Sequence, residues 1–355
     1  MRALFLTKYG SQAASTRHRF LQYVPMLEAA GISVSTSALL GDAYLARKFE
    51  RGTSSFWLAA RGYASRLQAL VGAASYDVLV IHCELFPYLP AFFERLLRWR
   101  RIPYVLDFDD AIFHNYDQHG NALVRYALGH KMAAAIQGAT TVLAGNEYLA
   151  SYARRYNSRV EVLPTVVDLD RYGLERHAGE STAFTVGWIG SPSTAPYVLD
   201  IQPALEGFFA RSPGRLVLVG SGPVAMPGVP LEVHRWSEAS EVNDLREFDV
   251  GIMPLPDTPW TRGKCGFKLI QYMATGLPVV ASPVGVNSTL VDHGTNGLLA
   301  TTADDWVNAL GELARDPALR TEMGHAGRQK VERQYNLRCA APRLIRVLQH
   351  AAADR

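Results

Sequence analysis

The chain has few cysteines and no long apolar run. Three cysteines occur among its 355 residues, at Cys83, Cys265 and Cys339. Because their number is odd, their spacing is wide and no C-x-x-C pair exists, the sequence indicates neither a disulfide framework nor a zinc site. No stretch of about 18 apolar residues is present, so no membrane-spanning helix is expected. Residues 1–7 are too short a run for a signal peptide and predict a first strand. These features favour a cytoplasmic protein.

A large excess of charge of one sign is also lacking. Lysine and arginine number 36 and aspartate and glutamate 33, a net charge of +3, so no nucleic-acid partner is expected. No G-x-G-x-x-G follows an early strand, which disfavours a Rossmann oxidoreductase. The composition is that of a folded protein, with 48% hydrophobic and 19% charged residues. The length predicts two domains.

Short apolar runs alternate with helical patterns along the chain. The run YDVLVIH at 76–82 is nearly continuous in apolar residues, as expected for a strand covered on both faces. The strands predicted in this way lie at 3–7, 34–37, 76–82, 103–107 and 140–144, and again at 184–189, 216–219, 250–253 and 278–281. Helices are predicted at 20–30, 267–274 and 341–352. This alternation predicts parallel sheets with helices on both sides.

The strand pattern restarts after residue 168, which divides the chain in two. We predict an α/β protein with two doubly wound, Rossmann-like domains that face a central cleft. They cover residues 1–168 and 169–335, with a polar linker near 168–181, and a helix at 336–355 packs back on the first domain. Ligands of such sheets bind beyond the carboxyl ends of the strands, so the site residues are expected there.

The most informative segment is residues 262–280, which predict a glycine-bearing loop, a short helix and a buried strand. Lys268 falls near the first turn of that helix, where the helix dipole disfavours a cation by roughly 0.3–1 kcal/mol. A bound anion removes this conflict. The N–H groups of Gly266, Phe267 and Lys268, with the lysine ammonium, would form a diphosphate site. The alternative is a solvated lysine beside glycines, among them Gly263, that serve only the turn.

The run KCGFKLIQYMATGLPVV at 264–280 resembles the donor-binding motif of the GT4 family of retaining glycosyltransferases. The resemblance implies the GT-B fold, with acceptor bound in the first domain and a nucleotide sugar in the second. By likeness, the donor phosphates are held by the backbone amides of Gly266, Phe267, Lys268 and Leu269. Gln271 stands where the family usually has a ribose-binding glutamate. The family's first motif glutamate, which usually touches the sugar, has no counterpart, because Gly263 falls near its place.

Two further stretches of the second domain fit a donor site. The loop after strand 184–189 offers N–H groups and hydroxyls to a phosphate, from Gly190, Ser191 and Ser193. Its alternative is an ordinary capped helix. The family's arginine and lysine are missing from this loop, so the positive charge would come from Arg262, Lys264 or Lys268. Trp236 lies where the family meets the base, although plain packing also explains it.

The first domain carries two polar stretches after its predicted strands. The loop after the first strand is rich in hydrogen-bond donors and is expected to hold the acceptor or the transferred sugar, through Gly10, Arg17, His18 and Arg19. A flexible polar loop is the alternative. The second stretch, residues 107–110, has three carboxylates, which repel one another unless they bind hydroxyls, cations or bases.

The family often has a histidine–aspartate pair at this second stretch, in contact with the donor sugar. By likeness Asp109 and Asp110 take that place, and with Lys268 they are the predicted catalytic residues. Asp107 and the nearby His114 are assigned to the acceptor. The triplet also suggests a metal site, but no supporting His/Asp cluster is visible in the sequence and the family needs no metal, so no metal ligands are predicted.

Two stretches of the first domain, at 47–66 and 90–101, mix arginines with tryptophan, phenylalanine and leucine. This composition suits an anionic lipid surface, although a surface helix with its apolar face on the sheet is the usual alternative. The stretches suggest a lipid-linked acceptor and peripheral contact with the inner face of the membrane.

The function that these patterns indicate is a metal-independent hexosyltransferase. It would move a sugar, with retention, from a UDP- or GDP-sugar to a glycan acceptor in cell-surface polysaccharide or glycoconjugate synthesis. The nucleotide sugar is a co-substrate and no cofactor is expected. Alternatives are an epimerase or hydrolase of nucleotide sugars on the same fold, and a catalytically silent protein that binds nucleotide sugars.

Overall fold

A computed structural model describes residues 1–173 and 183–354 of the chain. Residues 174–181 of the predicted linker lie outside the described residues. The chain divides into two compact units. The first consists of Met1–Val166, Arg262–Cys265 and Leu337–Arg355, and the second of Val167–Thr261 and Gly266–Asn336.

The first unit is built on a six-stranded parallel sheet with the order β2-β1-β3-β4-β5-β6. Its strands are β1 (Arg2–Tyr9), β2 (Ser33–Leu40), β3 (Val78–His82), β4 (Tyr104–Phe108), β5 (Thr141–Ala144) and β6 (Val160–Val162). All residues of β3, β4 and β5 are buried, because helices cover both faces of the sheet.

The second unit has a six-stranded parallel sheet of the order β12-β11-β10-β7-β8-β9. Its strands are β7 (Phe184–Ile189), β8 (Gly214–Val219), β9 (Leu231–His234), β10 (Val250–Met253), β11 (Val279–Ala281) and β12 (Gly297–Leu299). Two apolar clusters pack on opposite faces of this sheet, one around Leu269 and Met273 and the other around Trp188 and Trp306.

Eighteen α-helices connect the strands within the described residues. They are α1 (Ala14–Arg19), α2 (Val24–Ala29), α3 (Asp42–Arg51), α4 (Phe56–Val71), α5 (Phe92–Trp99), α6 (His114–Asp117), α7 (Ala122–Leu128), α8 (Lys131–Gly138), α9 (Glu147–Arg154), α10 (Pro196–Leu199), α11 (Gln202–Phe209), α12 (Glu241–Arg246), α13 (Pro259–Arg262), α14 (Phe267–Ala274), α15 (Asn287–Leu290), α16 (Ala303–Arg315), α17 (Pro317–Gln334) and α18 (Leu337–Ala353). Short 3-10 turns occupy Leu21–Tyr23, Ala73–Ser75 and Leu169–Arg171.

The C-terminal helix α18 belongs to the first unit. Its apolar residues, among them Leu344 and Leu348, share one core with Phe5 of β1 and Val80 of β3. The unit is therefore completed by the last segment of the chain.

The predicted fold class, two doubly wound parallel-sheet domains, is confirmed by these two sheets. The predicted helix at 20–30 is wrong in detail. It is split into the turn Leu21–Tyr23 and α2, because Pro25 has no N–H and suits only the first turn of a helix. Three strands were not predicted: β6, β9 and β12, which have three or four residues each.

No helix among residues 1–173 and 183–354 combines the length and the apolar character needed to cross a bilayer.

Two glycines inside helices provide a matched test of the packing. A methyl group at Gly62 in α4 would overlap the carbonyl oxygen of Leu39, whereas one at Gly207 in α11 would lie 3.4 Å from Val307, an ordinary contact. We expect Gly62→Ala to destabilise the protein by about 1–3 kcal/mol, as overpacking does. Gly207→Ala should instead stabilise it by about 0.5–1 kcal/mol, since alanine favours helices. Thermal unfolding of both variants measures this, and equal shifts in Tm would contradict the packing described.

Candidate functional site

The first turn of α14 in the second unit has no side-chain cap. Gly266 precedes the helix with φ +67°, and a Cβ there would strike Leu290 and approach Val286 to 3.0 Å. Only glycine fits this position, and glycine has no side chain to cap the first turn. Lys268, in that first turn, places its Nζ 5.4 Å from the ring centroid of Trp188. The ammonium thus lies over an aromatic face.

The loops that follow three strands meet at this helix end. A Cβ at Gly190, after β7, would overlap the Trp188 ring and lie 2.9 Å from Cε of Lys268. Gly220, after β8, packs against the carbonyl group of Gly190, and a Cβ there would lie 3.0 Å from Cβ of Trp236, after β9. The carboxyl edge of this sheet therefore presents backbone groups and one ammonium together, which is the chemistry of an anion site.

The structure brings together most of the predicted donor residues. Ser191 and Ser193 extend the Gly190 loop, and their hydroxyls hydrogen-bond each other at 2.9 Å. Leu269 differs from the prediction, because its N–H donates to the carbonyl of Gly266 at 2.9 Å and its side chain is fully buried. Its amide is used within the helix, and a direct phosphate contact from it would require that bond to open.

Gln271 lies in a buried polar network. Its Nε2 donates to Oε1 of Glu241 at 2.9 Å and to the Tyr172 hydroxyl at 3.1 Å. The indole N–H of Trp236 donates to the other oxygen of Glu241 at 2.8 Å. Glu241 thus fixes the positions of Gln271 and Trp236 through these two hydrogen bonds. Contacts of these two residues with a ribose and a base stay predictions.

A buried ion pair lies at the carboxyl end of β4 in the first unit. The guanidinium of Arg19 binds both carboxylate oxygens of Asp107, with Nε 3.0 Å from Oδ2, and its Nη1 donates to the carbonyl of Leu163 at 2.7 Å. Arg19 and Asp107 are 4% and 2% exposed. Arg19 and Asp107 thus bind each other in the structure. Their assignment to the acceptor stays a prediction.

The next two carboxylates have different partners. Oδ1 of Asp109 lies 3.4 Å from Nε2 of His82, and Oδ1 of Asp110 lies 2.8 Å from Nζ of Lys264. Burial opposes ionisation of Asp109, but His82, with smaller effects of Arg19 and Lys264, lowers its pKa to about 2. The pKa of Asp110 is raised, because burial and the charge of Asp109 outweigh the ammonium of Lys264. The pair therefore combines a permanent carboxylate with one that takes up a proton more readily.

The segment Arg262–Cys265 belongs to the first unit, although the chain on both sides of it lies in the second. Asn146 donates to the carbonyl groups of Gly263 and Lys264 at 3.0 and 2.9 Å, and the Cys265 thiol donates to the carbonyl of Asp109 at 3.0 Å. Two of the three predicted donor cations, Arg262 and Lys264, thus belong to the first unit, where Lys264 lies beside Asp110. Lys268 alone of the three lies in the second unit.

The remaining predicted acceptor residues surround the end of β1 and α6. A Cβ at Gly10 would meet the Asp42 carboxylate. Arg17 donates to the carbonyl groups of residues 11 and 12, and His18 is 3% exposed. His114 is held between Asp117 and the Tyr148 hydroxyl, each at 2.9 Å. Residues 14–19 form α1, and the bonds of Arg17 link this helix to the loop after β1.

One group of the first unit has the ligand types of a metal site. The ligand atoms of His82, Cys83 and Asp109 lie within 4.8 Å of one another. This group was not predicted, because only the fold brings His82 at the end of β3 and Cys83 after it next to Asp109, which follows β4. The prediction that the protein needs no metal is not tested by this geometry.

Two residues with clear roles in these sites were missed. His82 ends β3 next to Asp109, and a titratable residue at the carboxyl end of a buried strand was a signal that the sequence did carry. Glu241 starts α12 and reaches Gln271, 30 residues further along the chain. No local pattern points to it, since only the fold brings the two residues together.

Known proteins resemble parts of this chain. Residues 183–316 match the family model described as Glycosyl transferases group 1. A D-inositol 3-phosphate glycosyltransferase of Pseudarthrobacter chlorophenolicus is 37% identical over 113 residues, 31% of this chain and 25% of that protein. The protein of the same name from Kribbella flavida is 32% identical over 197 residues, 48% of this chain and 46% of that protein. The chain therefore spans less than half the length of these relatives.

Solved structures match over the full chain. A sucrose-phosphate synthase from Thermosynechococcus elongatus superimposes with a TM-score of 0.74 at 15% identity and covers 100% of both chains. The Anabaena HepE protein, crystallised with UDP-glucose, has a TM-score of 0.66 at 14% identity, over 98% of this chain and 99% of that one. At such identities the likeness concerns the fold, and it confirms the predicted GT-B fold.

The buried Arg19–Asp107 pair gives a stability prediction. Asp107→Asn removes the charge that neutralises a buried guanidinium, so we expect a loss of about 3–5 kcal/mol in the free energy of unfolding. The control is Asp117→Asn, since the Asp117 side chain is 34% exposed and its pairing with His114 should contribute about 1 kcal/mol or less. Denaturant unfolding compares the two, and similar losses would show that the buried pair is not essential.

Proposed function

We propose that this chain, in which residues 183–316 match the Glycosyl transferases group 1 family model, is a glycosyltransferase that uses a nucleoside diphosphate sugar. The observation that carries the proposal is the meeting of Lys268, in the first turn of α14, with the Gly190 loop at one edge of the second sheet. This arrangement fits a pyrophosphate.

The same arrangement suits the chemistry of sugar transfer. As the bond between sugar and diphosphate breaks, negative charge develops on the leaving phosphate oxygen. Lys268 and the first N–H groups of α14 are fixed before the reaction, so they stabilise that charge without reorganisation. Among the three predicted cations, Lys268 is the one in the unit that carries the Gly190 loop. Lys268 is therefore the residue to which we assign the phosphate.

The donor is proposed to be a UDP- or GDP-sugar. The Anabaena HepE protein was crystallised with UDP-glucose, which makes a uridine nucleotide the first choice to test. In this proposal Gln271 and Trp236, both held by Glu241, face the ribose and the base. The reaction is proposed to retain the anomeric configuration, as GT4 enzymes do, without a metal ion or other cofactor.

The acceptor is proposed to be a glycan, lipid-linked, in cell-surface polysaccharide or glycoconjugate synthesis. Its site is assigned to the carboxyl edge of the first sheet, where Asp109 stays ionised and Asp110 has a raised pKa. Carboxylates in these states accept hydrogen bonds from sugar hydroxyls. The loop at 10–19 and His114 complete this edge.

The phosphate role of Lys268 can be tested by ligand binding. A thermal-shift panel of UDP, GDP, ADP and their sugars should show one preferred nucleotide, because a ligand of the folded state raises the Tm. We expect Lys268→Ala to weaken binding of that nucleotide about tenfold or more, as loss of a charged hydrogen bond does. Lys48→Ala, an exposed lysine of the first unit, removes the same charge and should bind normally. Unchanged binding by Lys268→Ala would refute the phosphate assignment.

A metal requirement is tested separately. Transfer from the preferred donor should be unchanged after extensive treatment with EDTA, because Lys268 and helix N–H groups supply the positive charge that a metal ion supplies elsewhere. Loss of transfer that is restored by adding a divalent ion would overturn this part of the proposal and would direct attention to His82, Cys83 and Asp109.

One observation favours a second candidate function, a catalytically silent protein that binds nucleotide sugars. Gly263 stands near the place of the motif's first glutamate, and a Cβ there would overlap Ala111, so no side chain fits. Such a protein binds the donor in calorimetry but transfers no sugar to any acceptor. Analysis of products without acceptor also separates transfer from hydrolysis or epimerisation of the donor.

A further inference from the structure

Large apolar side chains are exposed in one region of the first unit. Phe56 and Trp57 are 75% and 79% exposed, and Tyr88, Leu89 and Phe92 are 59%, 40% and 63% exposed. We call these five residues the apolar rim. Exposed apolar residues are common when scattered, but a cluster of aromatic residues marks an interaction surface.

The first part of the rim projects beyond the sheet. Helix α4 runs antiparallel to β2, because Gly62 packs on the carbonyl of Leu39 while Arg66, one turn later, bonds to the carbonyl of Ser37 at 3.1 Å. Strand β2 ends at Leu40. The start of α4, with Phe56 and Trp57, therefore extends past the carboxyl end of the strand.

The second part of the rim lies at the same edge. Tyr88, Leu89 and Phe92 follow β3, which is parallel to β2 and β1 in one sheet. The two parts are joined, because the Tyr63 hydroxyl of α4 donates to the carbonyl of Pro87 at 2.6 Å. Both parts of the apolar rim therefore lie at the carboxyl edge of the sheet, which also carries Asp109 and Asp110.

The fold holds Tyr88 outward in an unusual conformation. Its φ is +58°, in the left-handed region that residues other than glycine rarely adopt. The N–H of Tyr88 donates to the Tyr116 hydroxyl at 3.1 Å, and Tyr116 in turn donates to the buried Glu84, which is paired with Lys131. A buried polar network thus fixes the loop while its aromatic side chain stays exposed, as expected for a contact surface.

Basic residues lie one turn behind the apolar residues of the rim. The exposed Arg61 follows Trp57 by four positions on α4, and the exposed Arg95 follows Phe92 by three on α5. Residues 52–103 contain three acidic residues, of which Glu84 and Glu94 are buried and Asp77 precedes β3, at the opposite edge. Arg61 and Arg95 therefore place positive charge beside Trp57 and Phe92, and this charge is complementary to anionic headgroups.

We propose that the apolar rim docks on an anionic lipid bilayer, with its aromatic side chains among the headgroups and acyl chains and Arg61 and Arg95 at the phosphates. The proposal rests on the proposed function in one respect, because an enzyme with a lipid-linked acceptor has to reach the bilayer that contains this acceptor. Docking at this edge brings the hydroxyl of such an acceptor to the side of the first sheet where Asp109 and Asp110 lie.

The test is binding of the full chain to vesicles, without any sugar donor. Co-sedimentation with phosphatidylcholine vesicles is compared with vesicles that also contain phosphatidylglycerol, and we expect about tenfold tighter binding to the anionic vesicles. Trp57→Ser combined with Phe92→Ser should weaken that binding about tenfold or more. The matched control is Trp99→Ser, because Trp99 is 78% exposed but ends α5 at the other edge of the sheet. It should bind within about twofold of the unaltered chain.

Three outcomes would overturn the proposal. They are normal vesicle binding by the rim variant, an equal loss in Trp99→Ser, and a rim-dependent dimer in solution that does not bind vesicles, which would make a second copy the partner. Nucleotide binding, measured by thermal shift, distinguishes failure of the membrane proposal from failure of the proposed function. A rim variant that loses vesicles but still binds nucleotide supports the membrane surface, and vesicle binding without any nucleotide binding would leave the surface intact and remove the proposed activity.

Discussion

The second unit depends on the close approach of the Gly190 backbone to the side chains of Trp188 and Lys268. Any larger residue at 190 would occupy the space that the indole and the lysine chain fill. The lysine is thereby confined to the face of the indole, in the first turn of a helix whose dipole disfavours a cation. An anion bound at this edge would offset the effect of the dipole on the ammonium, which is the physical basis for proposing a diphosphate there.

The first unit has several charged residues at the buried carboxyl ends of its strands. Burial of a charge is costly unless the charge is paired and hydrogen-bonded. Arg19 neutralises Asp107 inside the unit, and Lys264 neutralises Asp110 near the surface. Asp109 is left with the imidazole of His82 and keeps a low pKa. Pairing thus decides which carboxylate is structural and which ones remain near the edge for a ligand.

The sheets were predictable from the sequence because buried parallel strands leave a strong local pattern. Strands such as β3 and β7 are short apolar runs between turns, and the helix at 267–274 has a glycine on each side. Edge strands such as β9, whose residues are partly or largely exposed, lack that pattern. The carboxyl ends of the strands were predictable for the same reason as the strands themselves.

Partners within the sites were much less predictable, because they depend on residues far apart in the chain. The sequence placed Asp107, Asp109 and Asp110 together, yet it could not show that the first is paired with Arg19. It also grouped Lys264 with Lys268, four residues apart, although a unit boundary falls between them at Cys265. A motif specifies the local backbone conformation, whereas the tertiary fold determines which charged residues its side chains contact. The contact of Lys264 with Asp110 therefore required the structure, and it leaves Lys268 as the lysine of the motif for which a phosphate role is proposed.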